Sequence, residues 1–404
     1  MSLEHCRACG GTSIFPVLDL GVTPLANSIV RDADAPQERF PLRVVGCQEC
    51  SLVQLTDLVP PERLFRTYSY FSSNSDEMVA HARSLVTRLV QQRGLGAGSL
   101  VVEIASNDGY LLQHYVAAGV PVLGIEPATN IAEVARSRGI DTVSEFFGAA
   151  FAAGLAAEGR LADVVHANNV MAHVPDIRGF VAGLRHVLKP KGVAVIEVPY
   201  VRDFVERCEF DTIYHEHVFY FSLTALVRLC AAEGLVVSDV ERIHIHGGSL
   251  RLFITHGDVP SPHVQSLLDQ EQAVGLVSPE YYATFAQRVD DLRDTVMPLL
   301  RRLRAGGASV AAYGAAAKGS TLLNYFGIDA SLLDFVADRS VHKQGHYMPG
   351  VRVPIVAADQ LAHRRPDYTL LLVWNFASEV LKQQDAYRRA GGRFIVPIPH
   401  VQVL

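Results

Sequence analysis

The sequence predicts a multidomain α/β protein with a small cysteine-bearing module at its N-terminus. Short apolar runs alternate with amphipathic segments in two separate stretches of the chain, which is typical of βαβ units and parallel sheets. The chain has 404 residues, 49% hydrophobic and 19% charged, so it can bury two or three cores of ordinary domain size. We therefore expect a central doubly wound sheet and a second, smaller α/β unit after it.

The N-terminal module carries four cysteines in two Cys-x-x-Cys pairs: Cys6, Cys9, Cys47 and Cys50. Two residues between paired cysteines let both thiolates reach one ion from a tight turn. We expect these four thiolates to close a tetrahedral, structural zinc site. The alternatives are two unrelated pairs or a redox motif, but redox motifs rarely come as two copies flanking one short module.

Charge and hydropathy exclude several function classes. The 36 Lys and Arg residues against 42 Asp and Glu residues give a net charge of −6, so no general affinity for nucleic acid is expected. We see no signal-peptide pattern and no apolar run of about 18 residues. The sequence therefore predicts a cytoplasmic protein with no membrane association, and we expect a monomer.

Residues 71–250 are expected to form the central domain. Its strands are predicted at 100–104, 122–125, 163–166 and 193–198, and its helices include 131–138 and 176–188. Residues 1–70 form the predicted zinc module, and residues 251–404 the C-terminal α/β domain. In that last domain we expect helices at 264–304 with a break at 275–279, then strands at 309–313, 333–337, 368–373 and 394–397, alternating with helices at 318–326 and 378–390.

Polar and small residues follow the first three central strands. The first strand runs into Ala105-Ser-Asn107-Asp108-Gly109, without the Gly-x-Gly-x-x-Gly pattern of a dinucleotide site. Glu126, at the end of the next strand, is placed to accept both hydrogen bonds of a ribose diol. Its alternative is a solvated carboxylate at a strand end. The pattern indicates an adenosine-type ligand rather than a dinucleotide.

These strand ends resemble the cofactor site of class I S-adenosylmethionine-dependent methyltransferases, whose central domain is Rossmann-like. The resemblance is carried by Glu103, Ala105, Asn107, Asp108, Gly109, Glu126, Pro127, Asn168 and Asn169. The whole chain resembles the sugar C-methyltransferases of deoxysugar biosynthesis. That family has a four-cysteine zinc module, a Tyr-His-Glu-His motif and a C-terminal Rossmann-like α/β domain with a Tyr-Gly-Ala-x-Ala-Lys-Gly loop. Here these motifs are residues 214–217 and 313–319.

The Tyr-His-Glu-His segment carries groups suited to chemistry beside a ketone. Removal of an α proton needs a base of near-neutral pKa, and the enolate needs donors; histidine and tyrosine fit these tasks. Strand-like alternation would put His215 and His217 on one side and Tyr214 and Glu216 on the other. A His-x-His metal site is the alternative.

The resemblance assigns catalytic roles within this segment and outside it. It implies that His217 is the base, that Tyr214 and Glu216 surround it, and that His173 and Tyr68 occupy further active-site positions. By itself, His173 before Pro175 would more often be structural.

The C-terminal loop follows a strand and opens a helix near Lys318, an arrangement that suits an anion. A purely structural glycine turn is the alternative. The resemblance implies that Tyr313, Gly314 and Lys318, with Arg251 and Asn324 as further candidates, bind a nucleotide-diphosphate-linked 4-keto-deoxysugar, with dTDP as the expected nucleotide. The implied reaction moves a methyl group from S-adenosylmethionine to the carbon, C3, beside the ketone. O- or N-methylation and a non-enzymatic zinc-ribbon binding module are the competing hypotheses.

Overall fold

A computed structural model of the chain describes residues 3–66 and 71–404. The N-terminal module is an antiparallel sheet followed by one short helix. Its elements are β1 (Ile14–Pro24), β2 (Arg39–Cys47), β3 (Val53–Leu55) and α1 (Pro61–Phe65). The next helix, α2 (Asp76–Arg93), packs on the central domain. Helix α2 begins where the Ser75 side chain accepts a hydrogen bond from Met78 N, and it ends at Gly94 in the left-handed conformation.

The central domain is built on a seven-stranded sheet. Its elements, with one strand that belongs elsewhere (β9), are β4 (Val101–Ile104), α3 (Leu112–Ala117), β5 (Val122–Ile125), α4 (Thr129–Ser137), β6 (Thr142–Val143), α5 (Ala149–Ala157), β7 (Ala162–Asn168), α6 (Ile177–Val187), β8 (Leu188–Pro199), α7 (Val201–Glu206), β9 (Phe219–Tyr220), α8 (Leu223–Ala232), β10 (Val236–Ile243) and β11 (Ser249–Thr255). The strand order is β10-β11-β8-β7-β4-β5-β6.

The order of this sheet reverses at β4, because β5 lies on one side of it and β7 on the other. In open α/β sheets such a point forms a crevice at the carboxyl ends of the strands, where ligands bind. The antiparallel pair β10–β11 was not expected from the sequence. Strand β11 pairs with β8 through Ile254, so the sheet extends past the predicted domain boundary at residue 250.

The C-terminal domain has a six-stranded sheet in the order β14-β13-β12-β15-β16-β17. Its elements are α9 (Pro262–Ala273), α10 (Pro279–Tyr282), α11 (Phe285–Ala305), β12 (Val310–Tyr313), α12 (Ala317–Phe326), β13 (Val336–Asp338), β14 (Ile355–Ala357), α13 (Gln360–Arg364), β15 (Tyr368–Leu371), α14 (Ala377–Gln383), α15 (Asp385–Arg389), β16 (Arg393–Val396) and β17 (Gln402–Val403). Strand β12 is parallel to both β13 and β15, so a second switch point lies at its carboxyl end.

The three units share one core. Strand β9, which follows the Tyr-His-Glu-His segment, leaves the central domain and pairs antiparallel with β3 of the N-terminal module. A single cluster of buried apolar side chains runs from the cysteine module through both α/β domains. Within residues 3–66 and 71–404, every helix is too short or too polar to cross a bilayer.

Candidate active site

A cleft of about 1210 Å³ lies where the three units meet; we call it the central cleft. The N-terminal module contributes Asn27, the central domain the ends of β4, β5 and β7, and the C-terminal domain the segments after β12 and β15. Sites for single small ligands commonly occupy about 300–1,000 Å³. The central cleft therefore has room for two ligands side by side.

The segment after β4 forms one wall of the cleft. Ala105 and Asn107 have φ angles of 49° and Gly109 has 80°, all in the left-handed region. Non-glycine residues adopt this conformation infrequently, and it clusters at ligand sites. Ala105 and Asn107 line the cleft, whereas Gly109 lies behind them, where a Cβ would sit 2.7 Å from Ile140 Cγ1.

Glu126 lies at the end of β5, as predicted, and lines the cleft with Pro127. Its Oε2 accepts a hydrogen bond from Asn107 N over 2.9 Å, and its Oε1 accepts one from Ala128 N over 2.8 Å. Burial raises the pKa of this carboxyl, while the two backbone N–H groups lower it. Each oxygen keeps a second lone pair, so the fixed carboxylate can accept two further hydrogen bonds from a diol.

The remaining candidates at this edge divide into two groups. Asn168 and Asn169 line the cleft, and their buried Oδ1 atoms have no hydrogen-bond partner among the described residues, which fits a polar ligand. Glu103 and Asp108 are buried beneath the cleft and are absent from its lining. Asp108 is instead paired with Arg138, whose Nη1 lies 3.0 Å from Oδ2.

Residues 214–217 form a turn rather than a strand; we call it the 214–217 turn. The His217 N–H donates to Tyr214 O over 2.8 Å, which closes the turn. Tyr214 and His217 therefore lie on the same side and line the cleft, while His215 and Glu216 are buried behind it. The expected alternation, with the two histidines on one side, is wrong because it assumed an extended backbone.

The hydrogen bonds of His217 define its tautomer. Its Nδ1 lies 2.8 Å from the carbonyl of Thr212, so Nδ1 carries the hydrogen and donates it. Its Nε2 lies 2.7 Å from the Tyr214 hydroxyl, which donates to the Nε2 lone pair. Nε2 is therefore the basic atom, and it lies beside the phenol of Tyr214, which lines the cleft together with His217.

The other predicted catalytic groups surround this pair. His173, at the end of a short 3₁₀ turn (Met171–His173), lies with its ring centroid 4.8 Å from that of His217. Its Nδ1 donates to Glu216 O over 2.6 Å, and burial lowers its pKa. Glu216 Oε1 accepts a hydrogen bond from Asn27 Nδ2 over 2.7 Å. Tyr68 lies outside the described residues.

His215 points away from the cleft. Its Nε2 lies 3.2 Å from the carbonyl oxygen of Pro41, and its ring packs edge-on against Phe40. His215 and His217 therefore do not converge on one ion. Within the described part of the chain, the four N-terminal cysteines are the one group of three or more side chains close enough to share a metal.

The opposite wall belongs to the C-terminal domain. Lys318, the second residue of α12, lines the cleft with its Nζ 4.8 Å from the Trp374 ring centroid. That buried nitrogen has no hydrogen-bond partner among the described residues. Gly314 has a φ of 95°, and a Cβ there would lie 2.6 Å from Val373 Cγ1, so the loop requires glycine. Tyr313 is buried, with its hydroxyl 3.5 Å from Gln384 Nε2, and lies outside the cleft lining.

Arg251 and Asn324 are absent from the cleft lining. Arg251 lies on β11 and pairs with Glu197 at 2.7 Å and with Glu241 at 2.8 Å, on the two neighbouring strands. Asn324 Nδ2 donates to the carbonyls of Ser320 and Pro349. Both side chains are committed to holding the protein together, and we do not propose them as substrate ligands.

The four N-terminal cysteines fit a tetrahedral zinc ion. Their sulfurs lie within 4.8 Å of one another, with Cys6 Sγ 3.5 Å from Cys50 Sγ and Cys9 Sγ 3.6 Å from Cys47 Sγ. A tetrahedral zinc with Zn–S bonds of about 2.3 Å separates its sulfurs by roughly 3.8 Å. Gln54 Nε2 also donates to Cys6 Sγ over 3.2 Å, as a group that stabilises a thiolate would.

Comparisons with known proteins agree with this division of the chain. A zinc binding domain model matches residues 6–65, a methyltransferase domain model matches 78–240, and a C-methyltransferase C-terminal domain model matches 244–399. The C-methyltransferase NovU of Streptomyces niveus is 38% identical over 407 residues, which cover 100% of this chain and 97% of NovU. The chain belongs to this family of C-methyltransferases.

The enzyme is thus a methyltransferase with a zinc-binding N-terminal domain, and S-adenosylmethionine is its methyl donor. Among solved structures, the PH0226 protein of Pyrococcus horikoshii OT3 is 16% identical, covers 49% of this chain and 99% of its own, and has a TM-score of 0.38. The magnesium protoporphyrin IX methyltransferase of Synechocystis PCC 6803 is also 16% identical. The match covers 45% of this chain and 82% of that methyltransferase, with a TM-score of 0.35. Both likenesses are partial.

Several residues of the cleft were not predicted from the sequence: Asn27, Glu209, Asp338, Lys343 and Asn375. Asp338 alone had a usable signal, since it is an acidic residue at a strand end like Glu126. Its Oδ2 accepts a hydrogen bond from Ala315 N over 2.6 Å, in the loop after β12. The others are single polar residues in loops, brought to the cleft by long-range packing that no local pattern reveals.

Proposed function

We propose that the enzyme transfers the methyl group of S-adenosylmethionine to a carbon beside the ketone of a nucleotide-linked 4-keto-deoxysugar, C3 being the expected position. The observation that carries this proposal is the Tyr214–His217 pair. The basic nitrogen of a histidine that lines the cleft, 2.7 Å from a phenol and oriented by the Thr212 carbonyl, is suited to making an enolate. Transfer to a neutral amine has less need of such a base.

In this proposal His217 Nε2 takes the proton from the carbon α to the ketone, and the electrons of that C–H bond move into the enolate. The Tyr214 hydroxyl, released from Nε2 as that atom becomes protonated, donates to the enolate oxygen. His217 Nδ1 keeps its hydrogen bond to Thr212 O, which holds the imidazolium in place. S-adenosylmethionine, when bound, supplies an electrophilic methyl group on a sulfonium.

The methyl donor is assigned to the wall formed by Asn107, Glu126 and Asn169. The fixed Glu126 carboxylate accepts the two ribose hydroxyls, and the unpartnered Asn169 Oδ1 takes a further polar group. This wall meets the 214–217 turn through His173, which contacts His217.

The sugar nucleotide is assigned to the C-terminal wall. Lys318 supplies a buried ammonium at the start of α12 that has no hydrogen-bond partner among the described residues, which suits a diphosphate. Asp338 and Glu126 occupy equivalent positions in the two domains. The Asp338 carboxylate accepts a hydrogen bond from a backbone N–H of the loop after β12, and the Glu126 carboxylate accepts one from the loop after β4. That parallel supports a pentose hydroxyl at Asp338. We propose dTDP as the nucleotide, whose deoxyribose offers one such hydroxyl.

The position of the new methyl group in the product tests the proposal. The enzyme is incubated with S-adenosylmethionine and a panel of nucleotide-linked 4-ketosugars, and the products are analysed by mass spectrometry and carbon NMR. A new carbon-bound methyl group beside the ketone is the expected result. A methyl group on oxygen or nitrogen would overturn the proposal in favour of the alternative methyl transfers.

A further inference from the structure

Glu209 is a buried acidic residue on the wall of the central cleft, and it has no part in the proposed proton removal or in binding the methyl donor. It precedes the 3₁₀ turn Phe210–Thr212, is 4% exposed and lines the cleft. No hydrogen bond or ion pair joins its carboxylate to any described residue, and its buried Oε1 has no partner among them. A buried carboxylate without partners costs folding energy, so such a group usually serves a ligand.

The position of Glu209 connects the two working parts of the cleft. Its backbone carbonyl accepts hydrogen bonds from the N–H and the hydroxyl of Thr212, the residue that orients His217. Its carboxylate is close enough to Lys318 for an electrostatic attraction, although no ion pair forms. A sugar joined to a diphosphate at Lys318 and presenting a carbon to His217 therefore has Glu209 beside it.

The surroundings of Glu209 suit a neutral hydroxyl better than a charged group. Burial raises the pKa of this carboxyl to about 7, although Lys318 opposes the change. The carboxyl can therefore accept or donate a hydrogen bond near neutral pH. The backbone at Gly247 packs closely on this carboxyl, since a Cβ there would lie 2.7 Å from Oε1 and 2.8 Å from Oε2.

We propose that Glu209 recognises a ring hydroxyl of the sugar and so determines which nucleotide-linked ketosugars the enzyme accepts. This inference rests on the proposed function, because it needs a sugar that spans Lys318 and His217. A site built to bind a hydroxyl rejects the analogue that lacks it, since its buried polar group is then left unpaired.

The test compares a set of related substrates in four proteins. The substrates are a nucleotide-linked 4-ketosugar and analogues in which one ring hydroxyl at a time is replaced by hydrogen. The proteins are the wild type, Glu209→Ala, Glu209→Gln and the control Glu206→Gln, which removes an exposed charge three residues away. Kinetics, calorimetric affinity for S-adenosylhomocysteine and thermal unfolding are measured for each.

Removal of one particular ring hydroxyl should lower the kcat/KM of the wild type by about 10- to 100-fold. The same removal should lower the kcat/KM of Glu209→Ala by less than about threefold. The loss in Glu209→Gln should lie between these two values. Affinity for S-adenosylhomocysteine should be unchanged. The unfolding temperature should not fall, because burial of a carboxyl without a hydrogen bond or ion pair is itself costly.

Three results would overturn the assignment. They are an unchanged preference in Glu209→Ala, an equal loss on every analogue, and a fall in stability that explains the lost activity. If the wild type binds no nucleotide-linked ketosugar in calorimetry, the proposed function fails, and the role of Glu209 fails with it.

Discussion

The Asn27 side-chain amide donates a hydrogen bond to the Glu216 carboxylate over 2.7 Å, and this contact joins the zinc-binding module to the 214–217 turn. Two further contacts reinforce the junction. His215 Nε2 hydrogen-bonds to Pro41 O, and the backbone N–H of Leu55 donates to Val218 O over 2.8 Å. The module therefore holds the segment that carries His217, in addition to folding around its own metal.

Asn27→Ala should lower kcat by about tenfold or more, because a lost hydrogen bond to a charged group costs roughly 1.5–3 kcal/mol and frees the turn. Affinity for S-adenosylhomocysteine should be unchanged, since Glu126 is on another wall. Steady-state kinetics and calorimetry measure both. Ser28→Ala, an exposed neighbour, is the matched control. Normal turnover in Asn27→Ala would show that the junction does not position the turn.

The purified enzyme should contain one zinc ion per chain, because four thiolates fill a tetrahedral coordination sphere. Elemental analysis should find no zinc in Cys50→Ala and a full complement in Cys230→Ala, whose buried thiol lies outside the cluster. Cys50→Ala should also unfold at a lower temperature. Full zinc content in Cys50→Ala would contradict the assignment of this ligand.

Glu103→Gln should make the free energy of unfolding less dependent on pH. Burial, with Glu126 and Asp108 adding repulsion, raises the pKa of Glu103 well above 4.5. Above pH 4.5 the unfolded chain has released this proton while the folded chain keeps it, so stability falls as pH rises, by up to about 1.4 kcal/mol per pH unit.

Urea unfolding at several values from about pH 5 to pH 8 measures this effect. The wild type should lose stability over that range, and Glu103→Gln should lose less. Asp163→Asn, at a partly exposed ion pair with Lys189, is a control that should leave this trend in place. Parallel profiles for Glu103→Gln and the wild type would mean that Glu103 is ionised in the folded protein.

Lys318→Ala should raise the KM for the sugar nucleotide about tenfold or more at low salt, since a charge-assisted contact to a diphosphate is lost. S-adenosylhomocysteine affinity should stay the same. Glu126→Ala should have the converse effect: it should lower the affinity for S-adenosylhomocysteine and leave the affinity for the sugar nucleotide unchanged. Calorimetry with each ligand distinguishes the two variants. An equal effect of Lys318→Ala on both ligands would contradict the division of the cleft into two walls.

Much of the fold follows from local sequence patterns, and the site follows only in part. The strand predicted at 122–125 coincides with β5, because an apolar run bounded by turn residues has few other structures to adopt. Strand ends are predictable for the same reason, which is why the positions of Glu126 and Asn169 beside the ends of β5 and β7 agree with the prediction.

The wrong interpretations involve contacts between distant segments. The turn that brings Tyr214 beside His217 is supported by Pro41 and Asn27, which local alternation cannot detect. Arg251 was expected at the substrate, yet it pairs with Glu197 and Glu241 directly opposite it on β8 and β10. That pairing depends on strand register, which needs the antiparallel β10–β11 pair that the sequence did not predict.

The central claim is that His217 removes the α proton, and proton exchange tests it without methyl transfer. The wild type is incubated with a nucleotide-linked 4-ketosugar in deuterated water without S-adenosylmethionine, and proton NMR follows the carbon beside the ketone. The wild type should exchange that proton. His217→Asn should exchange it, and methylate, at least about a hundredfold more slowly while both ligands still bind. Near-normal exchange and methylation in His217→Asn would contradict the account and move the base to another residue, His173 first.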